Sequence, residues 1–473
     1  MGRMNFRVAA RVATALALPV LGASAHASTL QVYPYPPQLQ YTHHNDDFTV
    51  QARVPGGKWQ DLYEWNVRVD HDKPQDASMV YFDFTGTVEL RIQKNNGMFS
   101  KVSVGPVAGA PEPRIEGDKV YLTLTHPQNI ALFFDDDRLH NLHVFAGAPI
   151  AAPTGPDMVR FGPGLHKPAN GGDLFTVTSG QTVYLDGGAV LQGTFKVDGA
   201  RDVTILGHGL ILPPPGKDGN QFEIARSQNV RIEGPIVVQA DAGVGRVGAS
   251  KDVRIADVKG ITAGKWTDGI NVYSSERVTL DRLFMRTSDD CVTVYAHRWD
   301  YYGDVRDVKV TNSTLWADIA HAMFVGIHGD SVHPDVIEHL TFDNIDVVNV
   351  DEDDPEYEGV MAITAGDSNT IRDVTFSNIR VDRIEEAKLF NLHVGYNPRW
   401  NTSPGGGIEC VTFRNISYTG DGMPSPSVMF GYDPKRRVRN ILIDNLTIAG
   451  RKATNPATAN LEIGKFVDDV RLK

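Results

Sequence analysis

The segment Asp252-Val-Arg-Ile-Ala-Asp257 recurs in variant form through the second part of the chain. Each copy alternates polar and apolar residues, and most copies end in Asn or Gly. Successive copies begin 23 to 37 residues apart, at Asp202, Asn229, Asp252, Arg277, Asp307, His339, Asp373, Cys410 and Asn440. A strand-like unit that returns at this period is typical of a stacked repeat architecture.

This repeat predicts a parallel β-helix. Apolar residues at every second position direct one side of each short strand toward a shared interior. The closing Asn or Gly can adopt the left-handed conformation that turns the chain onto its next face. Each coil then shares its strand hydrogen bonds with the neighbouring coils. We expect the following residues to stack inside: Val203, Val230, Val253, Val278 and Val308.

The residues before the repeats predict a different β architecture. Stretches such as Phe48 to Val54 and Val120 to Leu124 alternate apolar and polar residues and are separated by turn clusters. Short antiparallel strands at this spacing favour a β-sandwich. The Ala-, Gly- and Pro-rich stretch from Ala146 to Pro156 indicates a boundary. We therefore predict an all-β chain with a β-sandwich over residues 28–153 and a parallel β-helix over residues 154–473.

The first 27 residues have the composition of a secretory signal peptide. Three arginines precede an apolar run from Ala13 to Leu21, and Ala25-His26-Ala27 fits a cleavage site. The apolar run is too short to span a membrane. We expect residues 1–27 to be removed and the mature protein to be periplasmic or secreted from a bacterium.

Charge and cysteine content exclude several classes of partner. The formal net charge of -12 argues against binding to nucleic acid or to an anionic membrane surface. The two cysteines, Cys291 and Cys410, are four coils apart in the repeat register. At about 4.8 Å per coil they are too distant for a disulfide, and they cannot form a metal cluster. We expect no metal and no cofactor.

Three aspartates and a histidine recur at intervals of about one repeat. Asp268 lies in Thr-Asp-Gly, Asp289 and Asp290 lie in Ser-Asp-Asp-Cys, and His321 follows in the next coil. Positions one coil apart are about 4.8 Å from each other on one face, so we expect Asp268 and Asp289 to be neighbours and a bend to turn Asp290 to the same side. Carboxylates this close raise at least one pKa, which keeps a proton available near neutral pH. Glycoside hydrolysis needs one protonated and one ionised carboxyl. Turn-forming aspartates are the simpler alternative.

The order of these residues resembles family-28 glycoside hydrolases, the polygalacturonase group. Those enzymes carry Asn-Thr-Asp-Gly, Asp-Asp-Cys and Gly-His-Gly in this order on a right-handed parallel β-helix. The resemblance covers roughly Gly162 to Asn445 and implies that Asp289 is the general acid. It also implies that Asp268 and Asp290 hold and activate water for inversion, and that His321 tunes or positions the site. Inversion would place the acid and base carboxyls roughly 6.5–9.5 Å apart.

The chain departs from the family pattern at three places. Trp266 stands where the family has asparagine, and alanines replace the glycines on both sides of His321. The family also binds a substrate carboxylate through Arg-Ile-Lys in a later coil, and the corresponding stretch here has Met361 and Ile363 in place of the two cations. A charge-paired grip on galacturonate is then missing. We expect weak or no activity on unmodified polygalacturonate.

The two-part layout also resembles family-49 glycoside hydrolases, the dextranase and isopullulanase group. Those enzymes place a β-sandwich before the β-helix and use a similar trio of aspartates on a neutral glucan. The substrate alternatives are therefore polygalacturonate or pectin and a neutral α-glucan such as dextran. The catalytic roles implied by the two resemblances are the same.

Further residues are candidates for binding a poly- or oligosaccharide substrate. Aromatic faces can stack on sugar rings, and an arginine can bind hydroxyls or a carboxylate. Packing within loops is the alternative for each of them. The candidates are Trp266, His297, Arg298, Trp299, Tyr302, His328, Lys388 and His393.

Two other functions compete with glycoside hydrolysis. A polysaccharide lyase also uses a β-helix, but it needs a calcium-binding carboxylate cluster and a basic residue that abstracts a proton. Arg298 is the one obvious candidate for such a base near the aspartates. A non-catalytic glycan-binding β-helix would not need the concentrated acids.

Overall fold

The computed structural model describes residues 1–2, 27–156, 158–217, 219–240 and 243–473. Most of the predicted signal peptide, residues 3–26, lies outside the described residues. The described part of the chain contains no helix with the length and hydropathy needed to cross a membrane. Two short 3-10 helices occur, at Pro37–Leu39 and Ala169–Gly171.

The first part of the chain is a β-sandwich. Its strands are β1 Thr29–Val32, β2 Phe48–Arg53, β3 Gln60–Asp61, β4 Trp65–Val69, β5 Gln75–Thr85, β6 Val88–Lys94, β7 Val102–Gly105, β8 Arg114–Glu116, β9 Lys119–Leu124, β10 Gln128–Phe134 and β11 Asp137–Gly147. One sheet has the order β1-β5-β11-β10-β7 with β4 on β5, and the other has the order β3-β2-β6-β9-β8. The inward residues of both sheets share one apolar core.

The second part is a parallel β-helix. Its strands are β12 Met158–Phe161, β13 Gly164–His166, β14 Leu174–Thr176, β15 Thr182–Leu185, β16 Ala189–Gln192, β17 Thr194–Asp198, β18 Arg201–Leu206, β19 Leu210–Leu212, β20 Asn220–Ala225, β21 Gln228–Glu233, β22 Ile236–Ala240, β23 Gly243–Gly248, β24 Lys251–Ala256, β25 Lys259–Thr262, β26 Ile270–Tyr273, β27 Glu276–Asp281, β28 Phe284–Thr287, β29 Val292–Tyr295, β30 Val305–Ala317, β31 Met323–Gly326, β32 Val336–Val350, β33 Met361–Ala365, β34 Thr370–Val381, β35 Phe390–Val394, β36 Gly407–Tyr418, β37 Ser427–Phe430, β38 Val438–Ile448, β39 Arg451–Lys452, β40 Leu461–Ile463 and β41 Val467–Leu472. The predicted boundary at residue 153 falls between β11 and β12.

Two sheets form the wall of the β-helix. A 19-stranded sheet runs from β12 to β41, and an 11-stranded sheet has the order β14-β17-β20-β23-β26-β29-β31-β33-β35-β37-β40. We call the 11-stranded sheet the site sheet, and all its strands pair in parallel. The predicted fold class is confirmed. The predicted interior stack is also confirmed, because these residues are in register and buried: Val203, Val230, Val253, Val278 and Val308.

The closing asparagines turn the chain as predicted and also bond to one another. Asn312, Asn344, Asn378, Asn415 and Asn445 all have φ between 53° and 62°. Asn344 donates to Asn312 at 2.8 Å, and Asn445 donates to Asn415 at 2.9 Å. The turns of successive coils are therefore joined by side-chain amides as well as by the backbone.

The first residue of every repeat copy is also left-handed, which the sequence did not indicate. All nine have φ between 55° and 59°. They include Arg277 and Cys410, which are residue types that disfavour this conformation more than Asn or Asp does. Because parallel pairing continues on both sides of this position, the stacked coils hold the same bend in each copy.

The sandwich packs against the β-helix through a mixed interface. Trp65 and Phe145 of the sandwich share an apolar cluster with Ile261 and Phe284 of the β-helix. Beside this cluster, Arg286 in β28 is fully buried and forms two hydrogen bonds with Asp318, at 2.8 and 3.0 Å. We call Arg286 and Asp318 the interface pair. The interface therefore involves the same coils that contribute strands to the site sheet.

Candidate active site

The candidate catalytic residues lie directly before strands of the site sheet. The first residues of β26, β29 and β31 are in register. Positions two residues earlier therefore form a column of Asp268, Asp290 and His321. The pairing extends into this column, since the N–H of Gly269 donates to the carbonyl of Asp290 at 2.8 Å. Asp290, rather than the expected Asp289, is thus the neighbour of Asp268 in the next coil, and Asp289 lies one residue before the column.

The three carboxylates meet in one cleft. One oxygen each of Asp268, Asp289 and Asp290 lies within 4.8 Å of the other two. We call these residues the acid trio. The separation of roughly 6.5–9.5 Å expected for inversion is not found between these oxygens. The reason is that two of the residues are adjacent in the chain and the third is in the neighbouring coil.

The cleft around the acid trio has a volume of about 380 Å³. Its lining combines the acids with aromatic residues, one arginine and one histidine. The lining residues are Trp266, Asp268, Tyr273, Asp289, Asp290, Tyr295, Arg298, Trp299, Ile327, His328, Tyr357 and Trp400.

Asp290 is surrounded by hydrogen-bond donors. Its Oδ1 accepts from the backbone N–H of His321 at 3.1 Å and faces Nδ1 of the same histidine at 2.6 Å. Its Oδ2 accepts from the hydroxyls of Tyr295 at 3.2 Å and Tyr357 at 3.4 Å. Donors that converge on both oxygens favour the ionised form of a carboxylate. Asp290 is therefore the member of the trio best suited to remain charged.

His321 lies behind Asp290 and outside the cleft lining. Its side chain is completely buried, and its Nε2 lies 2.5 Å from the carbonyl oxygen of Tyr357. When Asp290 is ionised both partners of the ring are acceptors, so both ring nitrogens carry protons. Burial alone would lower the pKa of His321, but the charge of Asp290 and the hydrogen bond to it raise that pKa above its ordinary value. The imidazolium thus compensates Asp290 and orients it.

Among the residues that the structure describes, neither Asp268 nor Asp289 is paired with a cation in the way that Asp290 is paired with His321. Burial, followed by the charges of Asp268 and Asp290, raises the pKa of Asp289 well above its ordinary value. Burial and the charge of Asp290 raise the pKa of Asp268 to about 8, although Asn271 donates to it at 2.8 Å and Arg298 opposes the shift. In the described part of the chain no side chain donates to the carboxylate of Asp289, which accepts only the backbone N–H of Asp290 at 2.9 Å. The trio therefore retains a proton near neutral pH.

Arg298 is held at the edge of the cleft by a neutral histidine. Its Nη1 donates to Nδ1 of His328 at 3.3 Å. Burial and the charge of Arg298 lower the pKa of His328 to about 3. Among the described residues of the lining, Arg298 is the only Lys or Arg, and it pairs with no carboxylate at ion-pair distance. The guanidinium is therefore available to a ligand.

Three tryptophans border the cleft. The side chains of Trp266 and Trp299 are 55% and 54% exposed, which is unusual for residues of this size. Trp299 packs edge-on against Tyr273 with ring centres 5.5 Å apart. Trp400 contacts Trp266 edge-on, with ring centres 5.9 Å apart. Exposed aromatic faces at a polar cleft are suited to stacking on sugar rings.

Two candidate sugar-binding residues lie beside the cleft and not in its lining. The rings of His297 and Tyr302 stack with centres 4.1 Å apart. Nε2 of His297 bonds to the carbonyl oxygen of Trp299 at 2.9 Å. This pair supports the turn that presents Arg298 and Trp299.

Two further candidates, Lys388 and His393, are also outside the lining. Lys388 is buried, forms an ion pair with Glu358 and donates to the carbonyl of Pro355 at 2.8 Å. His393 packs on Phe430 with ring centres 4.1 Å apart, and burial lowers its pKa to about 4. The structure therefore gives both residues packing partners away from the acids.

The structure corrects which residues of β33 face the cleft at the place of the family's Arg-Ile-Lys motif. Met361 and Ile363 of β33 point into the interior of the β-helix, where they are fully buried. Side chains alternate along a strand, so the cleft side of β33 carries Ala362 and Thr364 instead. Ala362 belongs to the aromatic cluster beneath the cleft. The positions that face outward thus also lack a cation.

Several residues of the cleft lining were not predicted from the sequence. Tyr357 and Trp400 come from irregular segments between strands, and no periodic pattern marks them. Tyr273 and Tyr295 end β26 and β29, and they stack with ring centres 5.6 Å apart. Their equivalent positions in two successive strands were a signal that could have been used.

The acid trio is also the set of described cleft residues that could hold a cation. Its three oxygens lie within 4.8 Å of one another, and carboxylates are ligands for hard cations. Such an ion takes about six to eight oxygens, whereas most other lining residues are aromatic. The expectation that no metal is needed stays a prediction.

The sequence of this chain is similar to that of a curated protein. A curated relative, the probable endo-xylogalacturonan hydrolase A of Aspergillus fumigatus, is 24% identical over 277 residues. The match covers 53% of this chain and 64% of the relative, so the chain spans less than two thirds of that protein.

One solved structure shows the same fold at low sequence identity. Dex49A from Penicillium minioluteum superposes with a TM-score of 0.56 at 12% identity, covering 94% of this chain and 96% of the other. Both the sandwich and the β-helix are thus included. A polygalacturonase from Erwinia carotovora ssp. carotovora gives a TM-score of 0.45 at 13% identity, covering 70% of this chain and 89% of the other.

The match to a family model decides the classification. The model described as glycosyl hydrolases family 28 matches residues 217–462, which is more than half of the 473-residue chain. The matched segment contains all of the acid trio, His321 and every described residue of the cleft lining. The chain belongs to glycosyl hydrolases family 28.

Proposed function

We propose that the protein hydrolyses a glycosidic bond of a poly- or oligosaccharide, with Asp289 as the general acid and with inversion at the anomeric carbon. The observation that carries this proposal is that the three neighbouring carboxylates accept different numbers of hydrogen bonds. Asp290 has four donors on its two oxygens, whereas Asp289 has only one backbone donor. One carboxyl is thereby kept charged while another keeps its proton.

Asp289 is the better acid of the two carboxyls with raised pKa values. Asp268 accepts a hydrogen bond from Asn271 and is stabilised by the charge of Arg298, and both favour its ionised form. Asp289 has the charges of Asp268 and Asp290 against it and no cation among its main influences. The shared proton therefore resides on Asp289, which donates it to the leaving oxygen.

Asp268 and Asp290 together hold the attacking water. Two acceptor oxygens within 4.8 Å can bond to one water, because each O–H···O hydrogen bond spans about 2.7–2.8 Å. A spacing this short also resembles the roughly 5–5.5 Å of retaining enzymes, in which a carboxylate attacks directly. Asp290 is poorly suited to that attack, since donors occupy both of its oxygens and it is almost fully buried.

The substrate is proposed to be a substituted or neutral glycan and not unmodified polygalacturonate. Ala362 and Thr364 leave the outer side of β33 without a cation for a regular series of carboxylates. Arg298 provides one positive charge, and tryptophans supply apolar faces. The name of the relative from Aspergillus fumigatus supports xylogalacturonan as one candidate, and the resemblance to the dextranase group supports dextran as another.

The test is incubation of the purified protein with xylogalacturonan, polygalacturonate and dextran. We expect new reducing ends on xylogalacturonan or dextran, little on polygalacturonate, and no ultraviolet-absorbing unsaturated product. Asp289→Asn, purified in parallel, should remove the activity. An unsaturated product would show a lyase instead, and full activity of Asp289→Asn would refute the assigned acid.

The proposed location is the periplasm or the extracellular medium. It is supported by the signal-like composition of residues 1–27. Expression of the whole chain in a bacterium and sequencing of the exported protein's N-terminus tests it. Ser28 is the expected first residue, and an intact Met1 on exported protein would contradict the assignment.

A further inference from the structure

A pair of tryptophans joins two distant coils of the β-helix. Trp266 precedes β26, whereas Trp400 follows β35. Three strands, β29, β31 and β33, separate these two in the site sheet. At about 4.8 Å per strand the two coils are about 19 Å apart, yet the rings touch with centres 5.9 Å apart. We call this contact the tryptophan bridge.

The tryptophan bridge crosses the strands from end to end. Trp266 lies with the acid trio before the starts of the strands. The segment of Trp400, residues 395–406, lies after the strand ends, where Asn401 bonds to the carbonyl of Ile327 just beyond β31. The ring of Trp400 therefore reaches across the site sheet to meet Trp266. Both residues also line the cleft, so the bridge forms part of its boundary.

Side chains hold the segment of Trp400 in this position. Oδ1 of Asp367, which follows β33, accepts from the N–H of Thr402 at 2.6 Å and from its hydroxyl at 2.9 Å. The same oxygen accepts from the N–H of Ser403 at 3.2 Å. Asp367 is itself buried. These bonds fix residues 395–406 to the coil below, so Trp400 is a fixed part of the cleft.

Trp266 adopts an unusual backbone conformation to form the bridge. Its φ is 62°, in the left-handed region that a bulky side chain disfavours. Its side chain is 55% exposed, so burial in the core does not explain this conformation. Strain of this kind persists where the surrounding structure enforces it, and it is concentrated at functional sites.

We propose that the tryptophan bridge closes the cleft to the interior of a polysaccharide chain, so that the enzyme acts on chain ends. This inference rests on the proposed function. A groove open along its length accepts any internal segment of a polysaccharide, because the polysaccharide can enter along the whole length of the groove. A cleft that is crossed by two rings admits a terminal residue from the side but does not admit a continuous chain from above.

The test compares bond cleavage with loss of viscosity on xylogalacturonan, polygalacturonate and dextran. For each polymer that is hydrolysed, we expect reducing ends to accumulate with little loss of viscosity and short products from the first time point. Trp400→Gly should open the cleft and increase the viscosity lost per new reducing end several-fold. A rapid fall in viscosity with the unaltered protein would overturn the inference while leaving hydrolysis established.

Two further variants keep this test decisive. Tyr396→Ala removes an exposed aromatic ring from the same segment but outside the cleft lining, and it should leave the ratio of viscosity loss to bond cleavage unchanged. Should Trp400→Gly fail to fold, Trp266→Asn opens the bridge from the other side with a residue that tolerates a positive φ. An unchanged ratio in both bridge variants would refute the inference. Absence of hydrolysis in every form would refute the proposed function instead, and this inference with it.

Discussion

Two groups of buried charge lie three residues apart in the chain and have opposite roles. The interface pair begins at Arg286, and the acid trio includes Asp289. Arg286 binds Asp318 through two hydrogen bonds, donates to Asn141 at 2.7 Å and lies 3.7 Å from the ring centre of Trp316. In the acid trio only Asp290 has a cation beside it, the imidazolium of His321, whereas Asp268 and Asp289 form no ion pair with any described residue. Burial raises the pKa of Asp318 as well, but the charge and hydrogen bonds of Arg286 oppose that rise, whereas no cation is among the main influences on the pKa of Asp289.

The energetic consequences also differ. A buried ion pair with complete hydrogen bonding holds two domains together, and removing one partner leaves an unpaired buried charge. A buried carboxyl without a cation raises its own pKa and lowers stability at neutral pH, but it provides a proton for catalysis. The fold places the first group at the interface and the second at the cleft, and the sandwich reaches Ser288 between them, whose hydroxyl accepts from the N–H of His71 at 3.0 Å.

The largest expected effect is on catalysis and comes from Asp289→Asn. Amide replaces acid with nearly the same shape, so the transferable proton is lost and kcat should fall roughly a hundred- to ten-thousandfold. A substrate with a good leaving group needs less protonation and should restore much of this rate. Asp268→Asn is the matched control, because it loses water activation and should gain little from the better leaving group. Equal restoration in both variants would contradict the separate roles.

The next effect is on stability and comes from Arg286→Met. Loss of the cation leaves Asp318 buried and unpaired, which costs about 3–5 kcal/mol. The denaturant midpoint and its slope measure the free energy of unfolding. Arg439→Met is the control, since its pair with Glu409 is solvent-exposed and should change stability by about 0–1 kcal/mol. Equal stability losses in the two variants would show that the interface pair has no special role.

The pH dependence of activity should have an alkaline limb set by the acid trio. Burial and the charges of Asp268 and Asp290 raise the pKa of Asp289 well above its ordinary value, so the acid keeps its proton at neutral pH and loses it only as the pH rises through that raised value. Asp268→Asn removes one neighbouring charge and should move this limb of kcat to lower pH. A limb that stays in place in Asp268→Asn would show that the two carboxyls are not coupled.

The smallest expected effect is a gain of stability in Asp289→Asn. The unfolded carboxyl releases its proton near its ordinary pKa of about 4, whereas the folded one retains it to higher pH, so stability falls as pH rises between the two values. Removal of the carboxyl should therefore raise the free energy of unfolding at pH 7, and with it the thermal midpoint that measures the effect. At pH 3.5 and below the gain should vanish. A gain that is independent of pH would assign it to packing and not to charge.

The β-helix was predictable from the sequence because each coil repeats the same chemistry. Val203 and its equivalents recur at interior positions, and the asparagines recur at the turns. The acid trio was predictable because its residues are clustered in the chain as well as in space. Asp289 was expected beside Asp268, but the register places Asp290 there, since a single residue of offset cannot be determined from spacing alone.

The rest of the cleft was not predictable by the same means. Tyr357 and Trp400 come from segments whose path depends on particular hydrogen bonds, such as those of Asp367. Lys388 was considered for the cleft because of its charge, but Glu358 neutralises it inside the fold. The side chains that decide access to the acids therefore belong to irregular segments, which a periodic analysis does not describe.

The configuration of the first product tests the central claim most directly. The claim is that Asp268 and Asp290 activate water and that neither attacks the sugar, although the carboxylate oxygens lie within 4.8 Å of one another. Proton NMR of a hydrolysis reaction, recorded before the anomers of the product equilibrate, reports this configuration. The account predicts a product of inverted configuration. A product of retained configuration would contradict it and would assign one of these two aspartates as a nucleophile.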